Sequence, residues 1–288
     1  MMRKHKYLIY ALIAFIACLA YNTYGDSKHR KKAKTENISK VHGFTSNVTT
    51  PASDATNKST DFSLVGTVAP IEGVSEQILK RTSYVVSYNK DTRCPNWVAW
   101  RLTANHTTGD VGRMGNAFHE DTDVPQPRAV NADFKGSGFS RGHLCPAGDN
   151  KWDRDAMYET FLLSNVCPQN ANLNSGVWNQ IEMSSRQWAE KYGDLYIITG
   201  PMYFRSQELR YIGENQVAVP DAFFKVILCL NEPKAIGFIC RNTDGNKRKD
   251  QYINSLSQVE RLTGLHFFPT LDTETRKLVE DQADINKW

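Results

Sequence analysis

A histidine and an asparagine in the middle of the chain have the residue types and surroundings needed for metal-assisted hydrolysis. His143 follows Arg141 and Gly142 after a glycine-rich stretch, and Asn174 lies further along the chain. A neutral imidazole, whose unperturbed pKa is near ~6.5, can accept a proton from water at neutral pH. An amide oxygen suits Mg²⁺, which keeps most of its waters, and arginine binds phosphate oxygens in pairs. These residue types together suit a phosphodiester, whose hydrolysis needs an activated water and neutralised phosphoryl oxygens.

The helix that would carry Asn174 can be located from its apolar pattern. We predict a helix over 175–191, because its large apolar side chains fall on one stripe at 100° per residue. They are Val177, Trp178, Ile181, Trp188 and Tyr192. Asn174 projects in the same direction as this stripe. Glu182 lies eight residues after Asn174, which places it two turns further along the helix and about 80° around the helix axis, on the flank of the same face. Each candidate has a structural alternative: asparagine is a preferred N-cap, and a lone histidine is most often a core residue.

The rest of the chain beyond residue 62 predicts an α+β fold. Apolar runs rich in β-branched or aromatic residues indicate strands, and residues 231–234 read as a hairpin turn. The predicted strands are Tyr84–Tyr88, Trp97–Leu102, Leu195–Ile198, Phe223–Leu230 and Ile236–Cys240. Further helices are predicted at 155–163 and 249–263. Because neighbouring strands are joined by short turns, the central sheet should be largely antiparallel and flanked by helices.

Other polar groups carry weaker signals. Residues 119–123, with sequence His-Glu-Asp-Thr-Asp, could bind Ca²⁺ or Mg²⁺, but they match no known loop signature, and a solvated loop is the alternative. We interpret His106 and His266 as structural. A basic cluster, Arg241 with residues 247–249, could contact a nucleic-acid backbone or form a charged surface turn. No nucleophile elbow and no phosphate-binding P-loop is present.

The N-terminal region differs from the rest of the chain in composition. Residues 1–62 carry ten basic and four acidic side chains, so the remaining residues have a net charge of −2. A basic start followed by an uncharged, mostly apolar run over 7–21 predicts a signal peptide or a membrane anchor at 1–25. Basic residues directly after this run oppose simple export. Residues 26–62 lack core-forming side chains and predict a disordered linker, which leaves a domain at 63–288.

Six cysteines are present, five of them beyond the N-terminal apolar run. No C-x-x-C pair occurs, so a structural zinc site is not expected. Export would permit disulfides, whereas buried thiols that behave as small apolar side chains are the alternative.

Several blocks of the sequence together resemble the DNA/RNA non-specific endonuclease family, which includes endonuclease G. The Arg-Gly-His stretch at 141–143 is followed by Pro168-Gln169, Leu173-Asn174, Trp178 and Glu182, with the family's spacing of eight from asparagine to glutamate. Weaker similarities to the family occur at 95–100, 220–225 and 262–268, so the resemblance covers most of residues 75–270. It implies a ββα-metal finger, in which a short hairpin bearing the histidine packs against the helix bearing the metal ligand.

The resemblance implies a role for each site residue. His143 is similar to the general base, Asn174 to the one direct protein ligand of Mg²⁺ or Mn²⁺, and Glu182 to an acid that orients metal-bound water. Arg141 and Arg113 are similar to the arginines that contact phosphate. The chain departs from the family at Ser140, where many members have aspartate.

These observations lead to an expected function and location. We expect a Mg²⁺-dependent endonuclease that contacts DNA and RNA through backbone phosphates without strict sequence preference. The N-terminus predicts an exported protein (periplasmic, extracellular or membrane-anchored), with membrane association through that segment. The alternatives are a catalytically weak extracellular surface protein that binds nucleic acid, and a toxin delivered against competitors.

The implied finger also leads to an expected disulfide. The approaches to the base and to the ligand should run close together, so in an oxidising compartment we expect a bridge between Cys145 and Cys167. Pairing of Cys229 with Cys240 or with Cys94 is the alternative.

Overall fold

A computed structural model describes residues 68–113, 115, 118–204, 208–243 and 247–288 of the 288-residue chain. The predicted signal peptide or anchor at 1–25 and the predicted linker at 26–62 lie outside these residues. Among the helices of the described chain, none is both long enough and apolar enough to cross a bilayer.

A seven-stranded antiparallel sheet forms the centre of the described domain, with the strand order β1-β2-β3-β6-β9-β10-β11. Two short hairpins, β4 with β5 and β7 with β8, lie outside it. The strands are β1 Gln77–Lys80, β2 Tyr84–Asn89, β3 Cys94–Leu102, β4 Ser140–His143, β5 Val166–Gln169, β6 Leu195–Met202, β7 Arg210–Ile212, β8 Val217–Val219, β9 Ala222–Cys229, β10 Lys234–Arg241 and β11 Ile253–Asn254.

The predicted strands are confirmed, because the long β-branched and aromatic runs are the ones that the sheet buries. β9 lies in the middle of the sheet between β6 and β10, and all eight of its residues are buried. Its side chains alternate between two apolar clusters, one on each face of the sheet. The predicted turn at 231–234 does join β9 to β10, with Lys234 already paired to Cys229.

Helices flank this sheet, as the α+β prediction requires. They are α1 Ala104–Thr107, α2 Asn131–Phe134, α3 Arg154–Thr160, α4 Ala171–Leu173, α5 Asn179–Tyr192, α6 Leu256–Thr263 and α7 Thr273–Val279. The prediction of one helix over 249–263 is wrong in its first half. Residues 249–252 form a 3₁₀ turn and β11 follows, because Ser255 caps α6 by accepting from the backbone N–H of Gln258.

The finger consists of β4, β5 and the helical segment that starts at α4. Ser140 pairs with Gln169 and His143 with Val166 in the antiparallel hairpin. Between α4 and α5 the helix widens over Asn174–Trp178, and Gly176 departs from helical backbone angles. The predicted helix at 175–191 is therefore present, but it begins earlier and is irregular at the position of Asn174. Its predicted apolar stripe is confirmed, since Val177, Trp178, Ile181 and Trp188 are all buried.

The cysteines of the described chain contradict the expected disulfide. Cys145 and Cys167 are both buried free thiols, as are the other three cysteines of this region. The hairpin register explains the result, because it pairs Cys167 with Gly142 rather than with the chain beyond His143. Cys145 contacts Asn150, whose Nδ2 lies 3.5 Å from its sulfur, whereas Cys94 is the thiol beside Cys167. The alternative of buried, apolar-like thiols therefore describes the cysteines better.

Candidate active site

Asn174 is held by the strand that carries the histidine. Its Nδ2 donates to Ser140 Oγ at 3.2 Å, and Ser140 Oγ in turn donates to the Gln169 carbonyl at 2.9 Å. Helix capping, the structural alternative for Asn174, is performed by Asn170, whose side chain accepts from two backbone N–H groups of α4. The Asn174 amide therefore does not cap the helix. Its Nδ2 donates to Ser140 on β4, and its Oδ1 accepts from no donor among the described residues.

His143, at the end of β4, packs against two aromatic rings. The ring centroids of Phe118 and Phe161 lie 4.9 Å and 5.0 Å from that of the imidazole. Burial, followed by the positive charge of Arg113, lowers the pKa of His143 to about 3. Its Nε2 is buried and has no hydrogen-bond partner among the described residues. The imidazole is consequently neutral in the free protein at physiological pH, as a proton acceptor must be.

Gly142 allows the hairpin to close beside His143. A Cβ atom at this position would lie 2.3 Å from Oε1 and 2.6 Å from Cβ of Gln169 on the paired strand. Real atoms do not approach so closely, so only glycine fits between Arg141 and His143. This close approach gives a physical reason for the middle residue of the Arg-Gly-His motif.

Both arginines named from the sequence are connected with His143, Arg141 through a shared aromatic neighbour and Arg113 through its charge. The Arg141 guanidinium lies over Phe118 and Phe134, at 5.4 Å and 5.5 Å, and its Nη2 donates to a backbone carbonyl of α2. Arg141 and His143 therefore share Phe118 as a neighbour. Arg113 is exposed, and its charge acts on both His143 and Glu182.

Glu182 borders a buried group of charges that sequence reasoning missed. Burial raises the pKa of Glu182 to about 7, and Lys225 is the strongest of the charges that oppose this rise. Asp149 is also buried, and it accepts from Trp100 Nε1 at 3.1 Å and from Arg186 Nη1 at 2.8 Å. A lysine within an otherwise apolar strand was the available signal for Lys225, because lysine is almost never fully buried without a partner.

The residues present fit a divalent cation that binds through few protein ligands. Within the described residues, no group of three or more His, Cys, Asp or Glu side chains is placed to hold a metal ion. Asn174 instead presents an amide oxygen whose orientation the Ser140 hydrogen bond determines. Amide oxygen is a hard donor that suits Mg²⁺, and Mn²⁺ accepts the same donors. This donor set does not suit zinc, which prefers histidine and thiolate.

The acidic cluster at 119–123 is occupied by internal ion pairs. Asp121 is buried and binds Arg81 Nη2 at 2.6 Å, and Asp123 binds Arg81 Nη1 at 2.7 Å. Glu120 pairs with Arg128. The arginines neutralise the carboxylates that a cation would need, so this loop is structural.

The other candidate residues have structural contacts as well. His106 stacks on Trp152 at 4.8 Å, and His266 contacts a Glu260 carboxylate oxygen at 3.1 Å. The basic residues 241 and 247–249 have dissimilar neighbours, since Arg248 pairs with Asp250 while the Lys249 ammonium lies over Trp188. They do not converge on His143.

Comparison with known families places the chain among nucleases. The family model described as DNA/RNA non-specific endonuclease matches residues 65–274. The mitochondrial nuclease EXOG of Mus musculus is 37% identical over 227 residues, which cover 70% of this chain and 59% of that protein. Bovine mitochondrial endonuclease G is 37% identical, with 68% of this chain and 70% of that protein covered. Nuclease C1 of Cunninghamella echinulata var. echinulata is 38% identical, with 70% and 87% covered.

A solved structure shares the fold. The chain superposes on a crystal structure of the complex of EndoG with its inhibitor EndoGI with a TM-score of 0.67 and 29% identity, covering 72% of this chain and 92% of that one. The predicted α+β fold with a ββα-metal finger is confirmed. Against the EXOG relatives the chain spans about three fifths of their length, between 56% and 61%.

These relatives overturn the expected location. EXOG and endonuclease G relatives at 36–38% identity are mitochondrial proteins, so the prediction of export is wrong. The N-terminus explains the error. A segment that is basic, apolar and free of acidic residues over 1–25 satisfies the rule for a signal peptide, yet mitochondrial targeting segments are also basic and poor in acidic residues.

Proposed function

This chain belongs to the DNA/RNA non-specific endonuclease family, and on that premise we propose that it hydrolyses phosphodiester bonds of DNA and RNA in a reaction that depends on Mg²⁺ or Mn²⁺. The observation that carries the proposal is the hydrogen bond from Asn174 Nδ2 to Ser140 Oγ. It joins the ligand helix to the base strand and leaves the amide oxygen to bind the cation. His143 lies three residues beyond Ser140, about 10 Å along the strand.

His143 acts as the general base in this proposal. Its packing between Phe118 and Phe161 keeps the imidazole neutral, so it can accept a proton from the attacking water. Nδ1 would accept the proton in this proposal, because Nε2 is buried and the attacking water cannot reach it. Loss of a positioned base typically slows a reaction by ~10²–10⁴-fold.

Asn174 would hold the cation, and Glu182 would orient water beside it. When bound, the cation supplies charge neutralisation for the phosphoryl oxygens and the departing oxyanion. Arg141 and Arg113 bind the phosphate and fix it relative to His143, through paired hydrogen bonds that a lysine would not reproduce. Because phosphates carry no sequence information, substrate choice is broad.

The departure at Ser140 does not favour the alternative of a catalytically weak nucleic-acid-binding protein. The Ser140 hydroxyl donates to a backbone carbonyl and accepts from Asn174, so it positions the ligand without adding a charge. No reactive group is lost by the replacement of aspartate at this position.

Digestion of supercoiled plasmid DNA and of RNA by the full chain tests the proposal. We expect both substrates to be cut with Mg²⁺ or Mn²⁺ and to stay intact with chelator. Intact substrates in every condition, at protein concentrations at which the chain binds nucleic acid, would favour the weak binding protein instead.

A mitochondrial location belongs to the same proposal, on the strength of the named relatives and the basic, acid-free N-terminus. Fractionation of cells that produce the tagged full chain tests it. Recovery of the chain with mitochondria is the expected result, and recovery in the medium would refute it.

A further inference from the structure

An exposed arginine on the β7–β8 hairpin lies beside the finger. The Arg210 guanidinium lies over the ring of Phe139, 5.9 Å from its centroid. Arg210 is exposed, and its side chain forms no hydrogen bond or ion pair with another described residue. By contrast, Arg81 and Arg276 each contact two carboxylates. An aromatic ring therefore holds the Arg210 guanidinium, and its N–H donors stay available.

Phe139 brings Arg210 next to the proposed site. It immediately precedes β4, two residues before Arg141 and four before His143. Two residues of extended chain span at most ~7 Å. Arg141 and His143 point to the same side of β4, because residues two apart in a strand share a face. The Arg210 guanidinium thus lies at the start of the strand that carries the proposed base and a proposed phosphate-binding arginine.

The β7–β8 hairpin is held in place by α2. The Asp133 carboxylate accepts from the backbone N–H of Asn215 at 3.2 Å and from its Nδ2 at 3.1 Å. Gly213, in the same turn, has a φ of 66°, and a Cβ there would collide with the Asp133 side chain. Arg141 Nη2 donates to a backbone carbonyl of the same helix. One short helix therefore positions both Arg141 and the hairpin that carries Arg210.

We propose that Arg210 binds a second backbone phosphate of the polynucleotide, next to the phosphate that is cut. A guanidinium suits this role because it stays charged and donates paired hydrogen bonds to phosphate oxygens. The phosphates of one DNA strand follow each other every ~3.4 Å along the helix axis, so a polynucleotide at His143 presents further phosphates beside the reacting one. The inference rests on the proposed function, because it takes the reacting phosphate to lie at His143.

Arg241 is the matched control for Arg210. It is also exposed, its guanidinium lies 5.5 Å from the ring centroid of Phe204, and no described residue forms an ion pair with it. Phe139 packs against the apolar cluster that contains the buried residues of the finger, whereas Phe204 packs against the cluster on the opposite face of the sheet. A general loss of surface charge would affect both arginines alike, and a contact beside the finger would affect Arg210 alone.

The first test measures binding without cutting. A fluorescent DNA duplex is titrated with the full chain in the presence of chelator over a series of salt concentrations, and anisotropy gives the Kd. In Arg210→Ala we expect the Kd at low salt to rise by about three- to tenfold. The slope of log Kd against log salt should fall by about one, because one phosphate contact is lost. Arg210→Lys should keep the slope and lose part of the affinity, and Arg241→Ala should bind as the wild type does.

The second test separates binding from chemistry in plasmid nicking with saturating Mg²⁺. A contact made equally in the ground state and the transition state changes KM and leaves kcat unaltered. Arg210→Ala should therefore raise KM by a factor similar to the rise in Kd, with kcat within about twofold of the wild type. A wild-type Kd and salt slope in folded Arg210→Ala, or an equal loss of affinity in Arg241→Ala, would overturn the inference.

The inference and the proposed function fail in different ways. If the wild type binds the duplex but nicks plasmid with neither Mg²⁺ nor Mn²⁺, the proposed function fails. If the wild type nicks and Arg210→Ala matches it in Kd, KM and salt slope, only the inference about Arg210 fails. Arg210→Gln, which keeps most of the side-chain length without the charge, replaces Arg210→Ala if that variant does not fold, and the same outcomes apply to it.

Discussion

At the scale of single residues, the side chain of Asn174 has one bonded end and one available end. Ser140 accepts from Nδ2, and Asn170 has taken over the capping of the helix. An amide held in this way presents its oxygen without the entropy cost of ordering it when a cation binds. The asparagine is therefore suited to weak metal binding that strengthens when phosphate contributes further ligands.

This arrangement predicts the behaviour of variants at position 174. Asn174→Ala should need much more Mg²⁺ for half-maximal nicking, whereas Asn174→Asp should retain part of the activity because a carboxylate also binds the ion. Titration with Mg²⁺ at fixed plasmid concentration measures both effects. Asn179→Ala on the same helix is the control and should match the wild type. Saturation of Asn174→Ala at the wild-type Mg²⁺ concentration would exclude the ligand role.

The residues of the site were predicted from sequence to different degrees. The candidates His143, Asn174, Arg141 and Glu182 come from a motif with fixed spacing, and Arg113 comes from the family resemblance alone. Phe118, Phe161 and Lys225 were missed, because they reach the site only through the fold and carry no local pattern. A side chain that acts by packing or by charge at a distance leaves little trace in its own neighbourhood of sequence.

At the scale of elements, the β4–β5 hairpin requires a glycine at its centre. Gly142→Ala would place a methyl group against Gln169 and should cost about 1–3 kcal/mol of stability. Denaturant unfolding measures the loss, which Gln169→Ala in the same chain should restore only in part, because the Cβ of residue 169 at 2.6 Å remains. Gly112→Ala, where an added Cβ meets nothing within 4 Å, is the matched control. Equal stability of Gly142→Ala and the wild type would refute the close approach.

Asn242, just after β10, connects the hairpin to the central sheet. Its Nδ2 donates to the carbonyls of Pro168 and Pro220 at 3.0 Å and 2.9 Å, and its Oδ1 accepts from the Asn170 backbone at 2.7 Å. Because these groups are buried or partly buried, loss of the amide leaves them unpaired.

Asn242→Ala should therefore destabilise the domain by about 1–3 kcal/mol and also raise the Mg²⁺ requirement, since Asn170 caps the helix of Asn174. Unfolding and Mg²⁺ titration together measure this. Asn215→Ala, which removes an amide that binds Asp133 elsewhere in the fold, should lower stability only. A wild-type Mg²⁺ requirement in folded Asn242→Ala would contradict the positioning of the finger by Asn242.

Helices and strands were predicted best where the burial of a segment agrees with the conformational preference of its residues. The strands of the central sheet are long apolar runs, and they were found within a few residues of their ends. The sequence of 249–263 predicts one helix, because its first residues are polar and give no contrary signal. Only the cap at Ser255 shows where α6 begins, and β11 forms because Ile253 pairs with Phe238 of β10.

At the scale of the whole molecule, the charge is unevenly distributed. Residues 1–62 are strongly basic, while the remainder has a net charge of −2. Binding to a polyanion must then depend on arginines at the site rather than on the overall field of the domain. Composition alone could not show that binding depends on these arginines, because it does not reveal which arginines lie near the site.

Residues 1–62 contain none of the motif, and residues 26–62 lack core-forming side chains, so we predict that this region is dispensable for chemistry. A chain that starts at residue 63 keeps the described contact of Val68 with Phe267 and every site residue. It should nick plasmid at a rate close to that of the full chain, with a weaker dependence on salt. Nicking assays on both chains over a salt series measure this. A shortened chain that folds but is inactive at low salt would show that the N-terminal region contributes to catalysis.

The measurement that tests the central claim most directly is the nicking rate of His143→Ala with saturating Mg²⁺. Loss of the general base should lower the rate by about 10²–10⁴-fold while the fold, followed by circular dichroism and denaturant unfolding, is retained. His106→Ala is the matched control, because His106 also packs on an aromatic ring but lies outside the site, and it should retain the wild-type rate. A folded His143→Ala that nicks at more than about a tenth of the wild-type rate would contradict the assignment of the base.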